Sequence, residues 1–475
     1  MKRITFLVAT ILMVMSVSGV VAQSRTSYFM EGSYFRTQLN PALAPTRGYL
    51  ALPAVSGIGI NLSTNFMSWD NFVYDNHGEP VTALHGSVPA ETFLSRIPEV
   101  GKINSTENVS LFGLGFYTRR IFWNLGIEAN FAADGAVSKD MFTALKTLGN
   151  GVYDLGNTAI SMTGYLDAYL GASFPVCRWV NVGVKAKFLV GLLHADFTAN
   201  NISANVGMDS VVGTLRGNWR ANGILFDNKC ITPSGRYETD VNINDISYLL
   251  GNVKSYGAAI DLGVEVRLLN EHLKLSAAVT DLGFIKWHNT THIGGEFNGE
   301  FYYNGVNFDT GEVDADADFG DNYFGLSSYD GYTTRLNYSV NVGVEYNILN
   351  NHIAFGVLSH TKFCNTMTSS ELTASVNFRP TSWLSATFSH TFLNGNRPGV
   401  FGAALNIHPA VVNIFLGVDF IGTRYVAILP SSDTEVFPLS ETIYVPRQLT
   451  SANVYFGFAF NFGRPDHLRP QRRVR

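Results

Sequence analysis

Strict alternation of apolar and polar residues, repeated along most of the chain, is the feature that most constrains its fold. Residues 121–131 and 335–347 are clear examples, with an apolar side chain at every second position. Because successive side chains of a β strand point to opposite faces, each such segment has one apolar and one polar face. The pattern therefore predicts long, two-faced strands rather than helices.

Fourteen segments of this kind are found. They lie near 57–66, 109–118, 121–132, 158–174, 179–196, 255–268, 272–281, 335–348, 352–361, 371–379, 383–392, 400–408, 411–421 and 452–462. Every second connection is short, and most of the others are long, which is typical of outer-membrane barrels. The alternative, a soluble β sandwich, has shorter strands of about 5–6 residues and no reason for such alternation. The sequence predicts an all-β fold, an antiparallel transmembrane β-barrel of about 14 strands spanning 57–462.

Composition agrees with a barrel and not with a bundle of membrane helices. Charged residues make up 15% of the chain and the mean hydropathy is only +0.08. No run of about 20 apolar residues follows residue 22, as membrane helices would require. The net charge of −5, without a basic patch, argues against a nucleic-acid partner.

The first 22 residues read as a signal peptide. Lys2 and Arg3 precede an apolar stretch, and Val20-Val21-Ala22 is a suitable cleavage site. The alternative, an uncleaved anchor, is disfavoured because the apolar stretch is short for a membrane span. We therefore expect export to the outer membrane of a Gram-negative bacterium, with outer-membrane lipid and the barrel assembly machinery as partners.

The segment 23–56 is too long for a simple lead-in to the first strand. Pro41 and Pro45 restrict the backbone around them, so this piece should not form a regular strand. We predict that it folds back into the lumen as a plug or hatch. At the other end, residues 463–475 form a basic tail that we assign to the periplasm.

The last segment carries a pattern by which outer-membrane barrels are recognised for assembly, a glycine followed by alternating aromatic residues. The residues that match it are Tyr455, Gly457, Phe460 and Phe462. We expect them to act as the terminal-strand assembly signal, although the basic tail moves them away from the end of the chain.

Charged residues at inward positions are the best-defined polar feature. They are Glu128, Asp167, Lys185, Lys187, Asp261, Glu265, Arg267, Arg335 and Glu345. A turn centred near residues 176 and 177 would place Asp167 opposite Lys185 and Lys187, so an ion pair is predicted there. Two interpretations stay open: a selective path for a solute, or a self-neutralising network that stiffens a plugged lumen.

No catalytic, cofactor or metal site is predicted. His390 falls on an outward face with no nucleophile on the neighbouring strands, so we expect no enzyme. The acidic stretch 312–318 lacks the glycine and glutamate spacing of a calcium loop, and a solvated loop is the favoured interpretation. Cys230 and Cys364 both fall in expected external loops, where they could pair or remain free thiols.

Asn40-Pro41-Ala42 after the signal peptide, followed by this strand pattern, resembles the FadL-type superfamily of outer-membrane barrels. That resemblance implies an N-terminal hatch and uptake of hydrophobic compounds. Leu52-Pro53 and Asp281-Leu282-Gly283 are similar to motifs of a barrel group known only as a domain of unknown function. The early Asn-Pro-Ala also resembles the start of PorV- and PorP-type barrels of type IX secretion.

Two functions of different classes follow. The first is passive uptake of a hydrophobic or amphipathic small molecule past the hatch, which an apolar pocket between hatch and wall would indicate. The second is a non-catalytic scaffold for surface-protein export, which a solidly plugged lumen and a surface or periplasmic protein partner would indicate. The first is favoured because of the FadL-like arrangement.

Overall fold

The computed structural model describes residues 25–52, 57–76, 79–147, 151–206, 211–224, 253–306, 313–318, 327–328, 330–393, 399–421, 425–428, 443–446 and 451–463. Within these residues, no helix has the length and apolar character needed to cross a membrane. The predicted signal peptide, Cys230 and the tail beyond residue 463 lie outside the described residues.

The described chain is almost entirely β structure, with a few short helices. In chain order the elements are α1 Arg36–Leu39, β1 Gly48–Ala51, β2 Ile58–Thr64, α2 Trp69–Phe72, β3 Val73–Asn76, β4 Glu79–Thr82, α3 Ala90–Leu94, β5 Val100–Thr118, β6 Ile121–Ser138, α4 Lys139–Thr147, β7 Gly151–Pro175, β8 Val180–Val206, β9 Val211–Gly223, β10 Ser255–Leu268, β11 Leu273–Trp287, β12 His292–Val306, β13 Val313–Asp318, β14 Ser327–Ser328, β15 Tyr332–Arg335, β16 Tyr338–Ile348, β17 Ile353–Phe363, β18 Thr368–Thr381, β19 Leu384–Leu393, β20 Val400–Ile407, β21 Val412–Ile421, β22 Tyr425–Ile428, β23 Ile443–Pro446 and β24 Ser451–Phe462.

Fourteen antiparallel wall positions close into one barrel. Two positions are each split between two strands: β1 and β2 follow one another between β24 and β5, and β15 and β16 follow one another beside β11. The other twelve are β5–β8, β10, β11, β17–β21 and β24. Closure gives the backbone groups of each wall strand partners on both sides, which a membrane interior requires. The predicted fold, a transmembrane barrel of 14 strands, is confirmed.

The wall separates an apolar exterior from a polar interior. On β19, for example, Ser385, Thr387 and Ser389 are buried towards the lumen, whereas Phe388 and Phe392 are more than half exposed on the outside. An exposed apolar band of this kind is stable only against lipid, because in water it would favour association or aggregation.

Several wall strands extend beyond the length that a membrane needs. β7 and β8 have 25 and 27 residues, and β8 continues into pairing with β9, which pairs in turn with β12. Over β5 and β6, the helices α2–α4 and the hairpin β3–β4 pack around the buried side chain of Phe93. These extensions occupy the side on which the sequence placed long connections.

Two predicted boundaries differ from the structure. The N-terminal segment was predicted to run to residue 56, but β1 already pairs in the wall, with Tyr49 opposite both Asn461 and Gly115. The acidic stretch was predicted to be a loop, but Val313–Asp318 is strand β13, paired with β12. Glu312 lies outside the described residues.

Two of the short turns have the same unusual backbone. Leu269-Asn270-Glu271 and Leu349-Asn350-Asn351 each have three consecutive positive φ angles, from 50 to 72°. A central asparagine suits such a turn, because asparagine tolerates the left-handed region better than most residues.

Candidate functional site

The lumen contains the chain's own N-terminal part. Residues 25–47, called the lumen segment below, are mostly buried and contact inward side chains from around the ring. Asn413 donates to the carbonyl of Gly32 at 2.7 Å and Asn341 to that of Leu39 at 2.9 Å. These two wall residues lie on β21 and β16. The lumen segment therefore crosses the interior of the barrel; whether it acts as a hatch stays a prediction.

The predicted hatch motif Asn40-Pro41-Ala42 fits a notch in the wall. Gly183 of β8 and Gly263 of β10 are directly paired in register. A Cβ atom on Gly183 would lie 2.1 Å from the carbonyl carbon of Pro41, and one on Gly263 would lie 2.0 Å from Oδ1 of Asn40. Only glycine leaves room for the motif at these positions. We call Gly183 and Gly263 the glycine socket.

Asn40 also organises the motif itself. Its Oδ1 accepts a hydrogen bond from the amide of Ala42 at 2.9 Å, which forms an Asx turn, and its Nδ2 donates to Oη of Tyr28 at 3.1 Å. The carbonyl of Ala42 accepts from Nδ2 of Asn181 on β8. Each part of the motif therefore has a defined partner.

A second attachment, here called the clamp, consists of Glu31, Lys274, Glu345 and Arg379. Nζ of Lys274 lies 3.3 Å from Glu345 and also contacts Glu31, and Arg379 contacts Glu345 and lies 3.8 Å from Glu31. The clamp contains two cations and two carboxylates, so it is electrically balanced. It ties the lumen segment to β11, β16 and β18 beside the short turns.

Of the clamp residues, only Glu345 was predicted from the sequence to face the lumen. Arg379 lies at an inward position of β18, at the end of the predicted segment, and Lys274 lies at an inward position of β11. Both lie at inward positions of the predicted segments 272–281 and 371–379, so the alternation itself could have found them. Glu265 and Arg267, predicted to face inward, form an ion pair with each other at 2.6 Å.

The middle of the lumen holds a second group of charges. Glu128, Asp167, Lys185, Lys187 and Asp261 all lie there with less than 10% of their surface exposed, as their strand positions predicted. Lys187 lies 3.1 Å from Asp261, and Lys185 lies 3.7 Å from it.

The predicted ion pair of Asp167 with Lys185 or Lys187 is wrong. Asp167 lies opposite Glu128 on one side and opposite Leu189 on the other. The reason is the register: Pro175 pairs with Asn181, so the turn is centred on residue 178 rather than on 176 or 177. Asp167 instead accepts a hydrogen bond from Nδ2 of Asn130 at 2.8 Å.

Asp281 belongs to this group, although the alternation of the sequence did not indicate it. It has a φ of +63°, lies at an irregularity between β10 and β11, and contacts Lys187 at 2.5 Å. Its amide donates to Oδ1 of Asp261 at 2.7 Å. The strand does not end at Asp281-Leu282-Gly283 but continues to Trp287 with its alternation shifted by one residue.

The neighbouring wall position shows the same shift, which corrects the prediction for Arg335. Leu336, between β15 and β16, is buried, whereas Arg335 is exposed and donates to the carbonyl of Cys364 at 3.0 Å. Arg335 therefore does not face the lumen. The sequence alone does not reveal such a break. A continuous strand and one that shifts by one residue would both place polar residues towards the lumen.

A cavity of about 60 Å³ lies between the lumen segment and the wall. Its apolar lining includes Phe35 of the lumen segment, Phe131, Tyr165 and Leu336. Its charged lining comprises Glu128, Lys185, Lys187, Asp281 and Lys362. Leu336 and Tyr165 also belong to an apolar layer with Leu189, Ala259, Ile285 and Trp287. The cavity therefore has an amphipathic lining.

Side chains bridge opposite walls next to this cavity. Asp134 of β6 accepts from the amide of Thr366 at 2.9 Å and from Nδ2 of Asn337 at 3.1 Å. Asn104 of β5 donates to Sγ of Cys364 at 3.5 Å and accepts from Nζ of Lys362 at 3.3 Å. We call these contacts the cross-lumen bridge. It joins β5 and β6 to the connection between β17 and β18 and narrows the lumen.

Other predicted positions fall outside this site. Tyr455 and Gly457 face the lumen and pack near Phe35 and Phe415, whereas Phe460 and Phe462 are exposed on the outer face. His390 lies outside between aromatic rings, 4.6 Å from that of Phe401. Cys364 is a buried free thiol and Cys177 an exposed one. In the part of the chain that the structure describes, no cluster of potential metal ligands occurs.

Comparison with known proteins gives one family match. No curated protein matches the sequence. Solved structures with a similar outline include the Ralstonia pickettii toluene transporter TbuX, with 9% identity, a TM-score of 0.39 and coverage of 94% of this chain and 96% of that one. A FadL homologue from Pseudomonas aeruginosa has 10% identity, a TM-score of 0.39 and coverage of 94% and 99%. Residues 41–419, most of the chain, match the model of the family of unknown function DUF5723, and the protein belongs to that family.

Proposed function

We propose that this protein is a passive outer-membrane channel for a small amphipathic molecule, which passes between the lumen segment and the barrel wall. The observation that carries the proposal is the cavity with an amphipathic lining, bounded by Phe35 of the lumen segment. Cavities that bind small ligands combine apolar surface with a few well-placed polar groups, as this one does.

The size of the cavity implies that something must move. A volume of about 60 Å³ holds a few water molecules but not an organic solute of ordinary size. Between the cavity and the end with short turns, the glycine socket and the clamp hold the lumen segment to the wall. The cross-lumen bridge consists of hydrogen bonds, and no ion pair between described residues crosses it. We propose that passage requires the bridge to open while the lumen segment stays largely in place.

The proposal includes export with cleavage after Ala22 and placement of the long connections on the cell surface. With that cleavage, Arg25 becomes the third residue of the mature chain. Its amide donates to Asp419 at 2.9 Å and its guanidinium to Ser451 at 3.2 Å, both inside the lumen. A buried arginine this near the start of the mature chain supports cleavage, because an attached signal peptide would have to continue from inside the barrel.

A disulfide lock tests the moving bridge. Asn104→Cys would face the native Cys364, whose sulfur already contacts the Asn104 side chain. In proteoliposomes, we expect oxidation of this variant to stop uptake of small amphipathic tracers and reduction to restore it. The control is Asn104→Cys with Cys364→Ser, which should stay insensitive to oxidant. Undiminished uptake in the oxidised lock, with the disulfide shown by mass spectrometry, would contradict the proposal.

The second candidate, a scaffold for surface-protein export, is supported by the firm attachment of the lumen segment and by the long extensions of β7 and β8. Gentle extraction from native membranes, with mass spectrometry of bound compounds and proteins together, separates the two. A discrete amphipathic compound near unit stoichiometry favours the channel. A stoichiometric protein partner, together with no tracer uptake by the reduced wild type, favours the scaffold.

A further inference from the structure

A basic groove lies on the outside of the barrel, where the wall meets the end with long connections. It has a volume of about 520 Å³ and is lined by Lys254, Tyr256, Lys286, Trp287, His288, Asn289 and Gly331. Lys286 and His288 are exposed. Lys286 and Tyr256 are register partners on adjacent strands, so the groove spans β10 and β11. None of its lining residues is acidic.

Local contacts hold two of its basic side chains in place. Nζ of Lys254 donates to Oγ1 of Thr290 at 3.2 Å, and Nδ1 of His288 lies 2.9 Å from the same hydroxyl. An ammonium group has three N–H donors, so Lys254 has further donors besides the one that Thr290 accepts. Lys286 forms no ion pair with any of the described residues. Arg335, opposite Phe284 on the next wall position, is also exposed, but its guanidinium donates to the carbonyl of Cys364 and does not line the groove.

An apolar surface continues directly from the groove along the same strands. Tyr256, Ile260, Leu262, Leu282 and Phe284 are between 37% and 51% exposed on the outer face. Phe188 stacks on Tyr256, with ring centroids 5.8 Å apart. Cations at the rim above an exposed apolar strip complement a molecule with an anionic head and hydrocarbon chains.

The opposite side of the exterior lacks this arrangement. Among the described outward residues of β19, β20, β21 and β24 there is no lysine or arginine. His390 lies there between Phe392 and Phe401 instead. Outward cations therefore do not form a uniform rim around the barrel.

We propose that this groove binds the phosphate of a lipid in the outer leaflet, with the acyl chains along the apolar strip of β10 and β11. Lys254 and Lys286 contact the phosphate, and His288 and Tyr256 border it. The inference is independent of what passes through the lumen. It predicts a site for one phosphorylated glycolipid of the lipid A type.

Native mass spectrometry of the full barrel in phosphatidylcholine nanodiscs tests the proposal, with lipid A and its dephosphorylated form as probes. We expect one tightly bound lipid A, at least tenfold weaker binding in Lys254→Gln/Lys286→Gln, and similarly weak binding of the dephosphorylated lipid to the wild type. Arg178→Gln is the matched control, because Arg178 is an exposed cation in a turn at the opposite rim. Its lipid binding should be unchanged.

Correct folding of each variant is checked by heat-dependent mobility on gels, which distinguishes a closed barrel from an unfolded chain. Equal binding of the phosphorylated and dephosphorylated lipids would overturn the proposal. So would undiminished binding in the double variant, or an equal loss in Arg178→Gln. Binding of inorganic phosphate as tight as that of lipid A would show a site for the free anion and would also overturn it.

Discussion

The clamp and the cavity are both charged, but their charges are arranged differently. In the clamp, Lys274 and Arg379 each contact both Glu31 and Glu345. In the middle of the lumen, Glu128 and Asp167 are neighbours, and their closest hydrogen bonds are with the amides of Gln38, Asn108 and Asn130. Paired charges thus attach the lumen segment, whereas the cavity is bordered both by the ion pair of Lys187 with Asp281 and by charges with neutral partners, among them Glu128 and Lys362. The two sets should respond differently to mutation.

The largest effect is expected at the glycine socket. Gly183→Ala places a methyl group 2.1 Å from the backbone of Pro41, which cannot move aside as a flexible side chain could. Overpacking a filled interior costs about 1–3 kcal/mol where neighbours can shift, and a fixed backbone raises the cost beyond that range. We expect the lumen segment to leave its socket, so that ion conductance in planar bilayers rises and residues 25–47 become sensitive to protease.

The matched control is Gly164→Ala on β7. A Cβ atom there lies 3.4 Å from the Phe131 ring, which is an ordinary contact. Conductance and protease resistance should stay at the wild-type level. Equal behaviour of the two alanine variants would show that the socket does not hold the motif.

The clamp should give the next largest effect. Removing one partner of a buried ion pair costs about 3–5 kcal/mol, because the remaining charge stays buried without compensation. We expect Glu345→Gln to lower the free energy of unfolding by roughly this amount, measured by denaturant unfolding with tryptophan fluorescence in lipid vesicles. The control is Lys139→Gln, which breaks an exposed pair with Glu99 and should cost about 0–1 kcal/mol. A loss below about 1 kcal/mol in Glu345→Gln would mean that the clamp is not stabilising.

At the cavity, Lys362 tests the opposite arrangement, a buried cation whose partners are neutral side chains. It contacts Asn104 and Thr106, and no ion pair joins it to any described carboxylate. Hydrogen bonds to charged groups contribute about 1.5–3 kcal/mol, so we expect Lys362→Met to destabilise the barrel less than Lys274→Met. In bilayers with a salt gradient, loss of this cation should shift the reversal potential towards cation selectivity. If Lys274→Met gave the same shift, the distinction between attaching and lining charges would fail.

Sequence reasoning was sufficient for the wall and for the face of most charges, because alternation directly records which side a residue faces. It failed where the alternation is interrupted. At Asp281 and between Arg335 and Leu336 the register shifts by one residue, and the alternating letters do not show it. The turn at residue 178 moved Asp167 away from its expected lysines for a similar reason.

The glycine socket was also not predictable from the sequence, but the reason is different. Gly183 and Gly263 are two among 45 glycines, and neither sequence neighbourhood distinguishes them. Their role depends on a register between β8 and β10 and on the path of the lumen segment, which are both tertiary properties. Asn40-Pro41-Ala42 was identified as a motif, but its partner in the wall was not.

The smallest effect is expected in the reactivity of the Cys364 thiol, which lies in the cross-lumen bridge beside the cavity. Burial raises the pKa of this thiol to about 11, above the ordinary value of about 8.5. At pH 8.5 only about one Cys364 thiol in three hundred is therefore in the reactive thiolate form. With Cys230 replaced by serine, we expect iodoacetamide to label Cys177 quickly and Cys364 very slowly, as read by peptide mass spectrometry.

Because Cys364 contacts Asn104 in the cross-lumen bridge, opening of the bridge should expose its sulfur and accelerate labelling. Labelling of Cys364 that rises with tracer flux, while labelling of Cys177 stays constant, would identify the bridge as the moving part. Equal rates at rest would show that the bridge is already open in the membrane, and the firm attachments of the lumen would then be confined to the clamp and the glycine socket.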